Sequence, residues 1–317
     1  MRVSAAKPAI LVIPLIPPEL RRILSERFEL VEHKAGETTP GFAVAAITSA
    51  GGMDRALMDL LPDLRLIACN GTGLDRVDLA AAAERRIIVR NTPDEVTEDG
   101  ASYAIALILA LFRRLVEADR FVRSGRWKSE RMTASRRIAG LRVGIVGLGR
   151  IGDRIATQAT ALGMQVSYTG PREKADRPYR YVADVRALAT DVDVLVLCCP
   201  GGPATRRMIG AEVLAALGPA GFLVNIARGE VVDQAALIAA LQNGTIAGAG
   251  LDVFEGEPDI DPRLRAFENI VLAPHYAVVT QETRRDIATT LRDAITDFLA
   301  GKPVPDAAAG HAPRRAS

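Results

Sequence analysis

The stretch Arg142-Val-Gly-Ile-Val-Gly147-Leu148-Gly149-Arg150-Ile151-Gly152 decides the reading of the chain. An apolar run suited to a buried strand meets three glycines, and a helical pattern follows. In that setting Gly147 permits a tight turn and Gly149 brings bare backbone to a pyrophosphate. Gly152 lets the helix pack closely on the strand. Leu148, Arg150 and Ile151 complete the turn, whose helix N-terminus offers N–H groups and a positive dipole to phosphates. With 27 glycines in the chain, spacing alone carries little weight. The strand before and the helix after make this a dinucleotide-binding turn.

Working outward, apolar runs at 165–169, 192–199, 221–226, 247–253 and 270–273 alternate with helical patterns. Upstream, strands are expected at 10–16, 43–48, 64–69 and 87–90, with helices at 18–27, 54–61 and 78–84. Such βα alternation implies parallel sheets with helices on their faces. A long helix is expected over 97–124, with Thr97 as its cap, Glu98 and Asp99 at its positive end and Gly125 as its stop. A last helix follows at 281–299, and the Ala-, Pro- and Arg-rich tail from Gly301 reads as extended or disordered. At 317 residues the chain is long enough for about two domains.

Composition narrows the partners. Forty Lys plus Arg against 38 Asp plus Glu leave a net charge of +2, too little for a field that holds a polyanion. Aromatic residues make up only 4%, so platforms for stacked bases are not expected either, and nucleic acid is excluded as a partner. The three cysteines are Cys69, Cys198 and Cys199. Two are adjacent and build no disulfide framework, which points to a reducing cytoplasm. With three histidines (His33, His275, His311) there is little material for a zinc site, and no metal is expected. The longest apolar run, about 103–112, falls well short of a membrane span, and prolines at 14, 17 and 18 interrupt what would be a leader. His33 and His311 read as surface residues, and the two adjacent cysteines as the buried end of a strand.

The end of the second nucleotide-domain strand bears on the choice of cofactor. A fold that prefers NAD usually places Asp or Glu there to bond the ribose 2′-OH. Here the strand runs through Thr169 into Gly170, Pro171 and Arg172, with Lys174 close behind. A guanidinium fork suits a 2′-phosphate, so NADP(H) is expected over NAD(H). Read as a solvated surface charge, Arg172 leaves NAD(H) open.

Three polar residues stand just past apolar runs: Arg228 in Asn225-Ile226-Ala-Arg228-Gly, Glu257 after Leu251-Asp252, and His275 in Leu272-Ala-Pro-His275. Ligands of open α/β sheets bind at that carboxyl edge. Taken with the glycine turn, these segments resemble the D-isomer-specific 2-hydroxyacid dehydrogenase family. The resemblance extends over about 10–305 and includes Asn70-Gly71-Thr72-Gly73-Leu74, Asn91-Thr-Pro93 and Gly125-Arg-Trp127. The segments 168–172 and 200–205 look like its NADPH-dependent glyoxylate/hydroxypyruvate and hydroxyphenylpyruvate reductase branch.

The resemblance implies two doubly wound parallel-sheet domains. A flavodoxin-like substrate domain would take 1–100 and 285–317, with a flexible tail from about 303, and a Rossmann cofactor domain would take 101–284, with a cleft between them. It implies Arg228 as the clamp on the substrate's carboxylate and keto oxygen, His275 as the acid–base group and Glu257 as its supporting carboxylate. Asp252 and Ile226 would contact the nicotinamide end of the cofactor. Gly71, Thr72, Gly73 and Leu74 would offer backbone N–H groups to the substrate. The implied reaction turns a 2-oxo acid (glyoxylate, hydroxypyruvate or an aryl-pyruvate) into the (R)-2-hydroxy acid, in a homodimer with the long helix at its interface. Departures from the family pattern are Tyr276 and Val278 after the histidine and Thr72 and Leu74 in the loop. Alternatives are an NAD-dependent 2-hydroxyacid or phosphoglycerate dehydrogenase, a formate dehydrogenase, disfavoured because Glu257 stands where that enzyme has glutamine, and a dinucleotide-sensing corepressor on the same scaffold.

Overall fold

A computed structural model describes residues 7–13, 16–48 and 51–309. The expected strand end at 14–15, His311 and the tail beyond 309 lie outside the described residues. The chain divides into two compact units, 1–96 with 279–317, and 97–278.

In the first unit five parallel strands line up in the order β2-β1-β3-β4-β5: β1 (Ala9–Val12), β2 (Glu29–Glu32), β3 (Val44–Thr48), β4 (Leu66–Asn70) and β5 (Ile88–Arg90). This is the flavodoxin-like order. The helices are α1 (Pro18–Ser25), α2 (Arg55–Asp59) and α3 (Leu79–Glu84). Asp54 and Asp78 cap the latter two through side-chain bonds of 2.8 Å each. β2 was not expected. It is an edge strand with Glu at both ends and no buried residue, so it lacks the apolar pattern that marks the other strands.

The second unit carries seven parallel strands in the order β12-β11-β10-β9-β6-β7-β8. These are β6 (Arg142–Val146), β7 (Gln165–Thr169), β8 (Arg180–Tyr181), β9 (Val194–Leu197), β10 (Phe222–Asn225), β11 (Gly248–Leu251) and β12 (Ile270–Leu272). Strand order reverses between β6 and β9, the crevice where doubly wound sheets bind ligands. Two parallel-sheet α/β units, as expected, form the fold. Interior strands such as Val-Leu-Val-Leu in β9 are buried at every position because helices cover both faces.

The expected long helix is two helices, α4 (Thr97–Phe112) and α5 (Leu115–Arg123). Arg114 between them adopts a left-handed conformation with φ 51°. Its guanidinium bonds Glu117 at 2.6 Å and also meets Thr133. The apolar pattern runs on across the break, so periodicity does not reveal it. The remaining helices are α6 (Arg150–Ala161), α7 (Val185–Thr190), α8 (Ala211–Leu217), α9 (Gln234–Gln242) and α10 (Gln281–Leu299), the last belonging to the first unit.

Two further expectations are corrected. His33 is buried, with 5% of its surface exposed, and its Nδ1 lies 3.1 Å from the Thr39 hydroxyl. The chain from about 303 is not loose as far as 309. Asp306 accepts the Val89 N–H at 2.9 Å, the Ala307 N–H donates to Val89 O at 2.8 Å, and Ala308 is fully buried in the first unit's core. The free edge of β5 supplies the partners. Asp306→Ala removes the acceptor for Val89 and Ala308 N–H. It is expected to cost about 1 kcal/mol, read as a lower urea midpoint with an unchanged denaturant slope; an unshifted midpoint would show that this contact holds nothing.

Candidate active site

The glycine turn closes β6. Gly147 has φ +100°, and a Cβ there would lie 2.8 Å from the Cys199 backbone. A Cβ on Gly152 would lie 2.1 Å from the Gly147 carbonyl oxygen, so only glycine lets α6 sit this close. Gly149 is different. Its Cβ would meet nothing within 4 Å, so the protein's own packing does not demand glycine there. Bare backbone in open space at the start of α6, with no side chain capping the helix, fits an approaching pyrophosphate. Leu148 is buried, Arg150 opens the helix, and Ile151 packs near Gly100.

The cysteines beside the turn are neutral thiols rather than nucleophiles. Burial pushes Cys199 up to about 11 and Cys198 higher still. Both are half-buried, and the Cys198 thiol donates to the Gly147 carbonyl at 3.1 Å.

The loop with Gly170, Pro171 and Arg172 is held by two tyrosines that the sequence reading did not single out. The Tyr168 hydroxyl accepts the Lys174 N–H at 2.6 Å, and the Tyr181 hydroxyl donates to Gly170 O at 3.0 Å. Their rings stack obliquely, centroids 5.4 Å apart. Tyr181 lies on β8, a two-residue strand too short for a pattern to show. Arg172 is exposed.

The register of the sheet aligns the remaining site residues. Val146, Leu197, Asn225, Leu251 and Leu272 pair in one row across β6, β9, β10, β11 and β12. Gly147, Ile226 and Asp252 each follow that row by one residue, and Arg228 and His275 by three. Asn225 is buried and shapes the turn after β10. Its Oδ1 accepts the Ala227 N–H at 2.9 Å and its Nδ2 donates to Arg228 O at 3.1 Å. Ile226 is half-buried. A Cβ on Gly201 would lie 2.8 Å from Arg228 Cγ, so the loop after β9 packs on the arginine stem.

His275 is among the few non-glycine residues with positive φ, at 54°. Asp252 holds it there. Its carbonyl accepts the His275 N–H at 2.8 Å, and its carboxylate accepts the Tyr276 and Ala277 N–H groups at 2.6 and 2.9 Å. Asp252 is 1% exposed, and that burial pushes its carboxyl up against the pull of the two N–H bonds. Expected from the family resemblance to contact the cofactor, Asp252 also supports the histidine turn.

Glu257 reaches the imidazole. Its Oε2 lies 2.8 Å from His275 Nδ1, and its Oε1 accepts the Phe254 N–H at 2.7 Å, which fixes the carboxylate's orientation. The bond from Glu257 holds His275 above its ordinary value against desolvation; Glu257 and Asp252 charges add to it and the Arg228 charge opposes it. Burial works against the Glu257 carboxylate, but the bonds from His275 and Phe254 and the charges of His275 and Arg228 outweigh it, leaving its pKa lowered. Arg228 is thus felt by both partners. With Nδ1 on Glu257, Nε2 is the ring nitrogen that this pair leaves unengaged.

In the first unit, β4 ends in the loop of Gly71, Thr72, Gly73 and Leu74. Gly71 has φ +124°, and its N–H donates to the Thr92 hydroxyl at 3.2 Å. Gly71 therefore shapes the loop rather than presenting its own N–H. Thr72 bonds Thr92 O through its hydroxyl at 3.3 Å, and Asn91 donates to Thr72 O at 2.9 Å. Among the described residues no group of three or more His, Cys, Asp and Glu is placed to hold a metal, and no helix is long and apolar enough to cross a membrane.

A glycine turn at the reversal of a parallel sheet and a carboxylate-backed histidine on the same edge define a dinucleotide-dependent dehydrogenase. The chain belongs to the D-isomer specific 2-hydroxyacid dehydrogenases, whose NAD binding domain matches residues 105–277. It is 41% identical over 302 residues to a 2-ketogluconate reductase of Gluconobacter oxydans, covering 94% of this chain and 97% of the other. A hydroxyphenylpyruvate reductase of Plectranthus scutellarioides is 43% identical over 256 residues, 81% and 82% of the two chains. The crystal structure of an NADPH-dependent glyoxylate/hydroxypyruvate reductase from Sinorhizobium meliloti, in complex with NADP and malonate, superposes with a TM-score of 0.88. It is 37% identical and covers 98% of this chain and 100% of its own.

Glu257 keeps the proton on His275 to higher pH, the state that a proton donor in a reduction requires. Glu257→Gln retains an acceptor for Nδ1 but removes the charge. The alkaline limb of kcat/KM for reduction is expected to move to lower pH, with a loss of about tenfold or more. A pH profile that superposes on the wild type would remove Glu257 from this role.

Proposed function

We propose that this chain reduces a 2-oxo acid of the glyoxylate, hydroxypyruvate or aryl-pyruvate kind to the (R)-2-hydroxy acid, using NADPH in preference to NADH. The observation that carries the reading is the Glu257–His275 pair at 2.8 Å with the Arg228 charge acting on both. Gly147, Gly149 and Gly152 would hold the pyrophosphate with the first N–H groups of α6. Arg172 and Lys174 offer cationic partners for a 2′-phosphate, on a loop that the two tyrosine hydroxyls keep in shape. When bound, the reduced nicotinamide supplies the hydride.

Arg228 grips the carboxylate and polarises the keto oxygen with a permanent charge in a fixed fork. His275 donates the Nε2 proton to that oxygen as negative charge grows on it. Glu257 stabilises the imidazolium beforehand and keeps the ring aimed. In the reverse direction the same imidazole, now neutral, accepts the hydroxyl proton. The three thiols suit a reducing cytoplasm.

The test is a panel of glyoxylate, hydroxypyruvate, pyruvate and phenylpyruvate with each reduced cofactor, alongside His275→Ala. The variant is expected to lose about 10²–10⁴ in kcat while binding NADPH as the wild type does. Wild-type turnover in His275→Ala, or a clear preference for NADH, would refute the corresponding part.

The proposed assembly is a homodimer. Leu115, Val122 and Trp127, on and just after α5, expose 55%, 55% and 61% of their surface, an apolar face that a second copy would cover. Sedimentation equilibrium is expected to return twice the chain mass; a monomer at micromolar concentration would refute the assembly.

A further inference from the structure

Two tyrosines beside the acid–base pair have no part in the chemistry above. Tyr276 follows His275 directly, and 49% of its surface is exposed. Its main chain is pinned, since its N–H donates to the buried Asp252 carboxylate at 2.6 Å. Its ring meets Tyr103 of α4 edge to face, with centroids 6.3 Å apart and planes at 63°. Tyr103 is partly buried, and that burial pushes its phenol up.

We propose that Tyr276, braced by Tyr103, is a specificity-determining residue that receives the C3 substituent of the 2-oxo acid and favours an aryl group there. The proposal rests on the reductase reading and adds the substrate class to it. Arg228 and His275 engage the carboxylate and the keto oxygen, which every 2-oxo acid has. They cannot tell one such acid from another, so selection falls to the surfaces that C3 and the atoms beyond it touch. Consecutive Cα atoms are about 3.8 Å apart, and Asp252 meets the main-chain N–H groups of both His275 and Tyr276, so the two residues leave the same pinned turn. A pinned backbone and a bracing neighbour limit the ring's freedom, so little ordering is left for substrate binding to impose. An edge-to-face pair also leaves ring surface for a third aromatic in offset or T-shaped contact. Glyoxylate, with no C3, gains nothing from such a wall. An aryl-pyruvate places its ring one carbon from C2 on the side that carries the substituent.

The experiment measures kcat/KM for phenylpyruvate and for glyoxylate, with NADPH, in the full chain and in Tyr276→Leu, Tyr103→Leu and Tyr276→Phe. NADPH binding by fluorescence shows that each variant is folded. The ratio of phenylpyruvate to glyoxylate is expected to fall about tenfold or more in Tyr276→Leu, to fall in the same direction in Tyr103→Leu, and to hold in Tyr276→Phe. A smaller fall in Tyr276→Leu overturns the proposal, because a residue that merely supports the histidine turn lowers both acids together. A wild type that reduces glyoxylate but not phenylpyruvate overturns it and leaves the reductase reading standing. A wild type that reduces neither of these, nor hydroxypyruvate, overturns both.

Discussion

A left-handed backbone turn at His275, held by one buried carboxylate, is the constraint on which the site depends. A β-carbon residue at φ 54° lies in a sparsely populated region, and such residues persist where the surroundings over-determine them. Here the surroundings are Asp252. It follows β11 by one residue, and three N–H groups of 275–277 converge on its carbonyl and carboxylate. An acid with 1% exposure is costly to bury unless its oxygens are met. The turn needs acceptors and the carboxylate needs donors, so each explains the other. The imidazole then leaves the chain in the direction that brings Nδ1 onto Glu257.

Electrostatics at that point is a balance of opposed influences. Glu257 and Asp252 favour a proton on His275, while burial and Arg228 disfavour it. An acid–base group must release its proton as well as hold it, so an imidazole locked in either state would serve poorly. Arg228, the clamp in the proposed reaction, thus also acts as a brake on the imidazolium. Both partners of the pair feel the same guanidinium, whose charge lowers Glu257 and His275 alike.

Much of this architecture is legible in the chain. Interior strands such as β9 and β4 are apolar at nearly every position because helices cover both faces, and the glycine turn declares itself through the strand and helix around it. What stays hidden has physical reasons. β2 and β8 are edge strands, one with glutamates at both ends and one only two residues long. The break at Arg114 rests on a guanidinium with two partners, while the apolar period continues through it. His33 looks like a surface residue until its burial beside Thr39 is seen, and Asp306 looks like tail until the unpaired edge of β5 claims it. In the candidate site itself Arg228, Glu257 and His275 stand out as polar residues past apolar runs. Their supports do not, because Asn225, Asp252, Tyr168 and Tyr181 act through main-chain bonds that leave no spacing to read.

Sheet register explains why groups so far apart in sequence act together. In a parallel sheet a row of paired residues runs straight across the strands, so the first residue past the row on each strand stands at one edge. Gly147, Ile226 and Asp252 occupy that position, separated in sequence by 79 and 26 residues but each one step past Val146, Asn225 and Leu251. A one-residue change of register at any strand would move its site residue inward by a full step and turn its side chain to the other face. Burial of β9 and β11 at every position guards against that slip, since a shifted register would draw Asp252 along the strand and away from the N–H groups that meet its carboxylate. Packing of the sheet and alignment of the chemistry are therefore one requirement: the residues that fix the register of the core are also what places the phosphate turn and the histidine turn on the same edge.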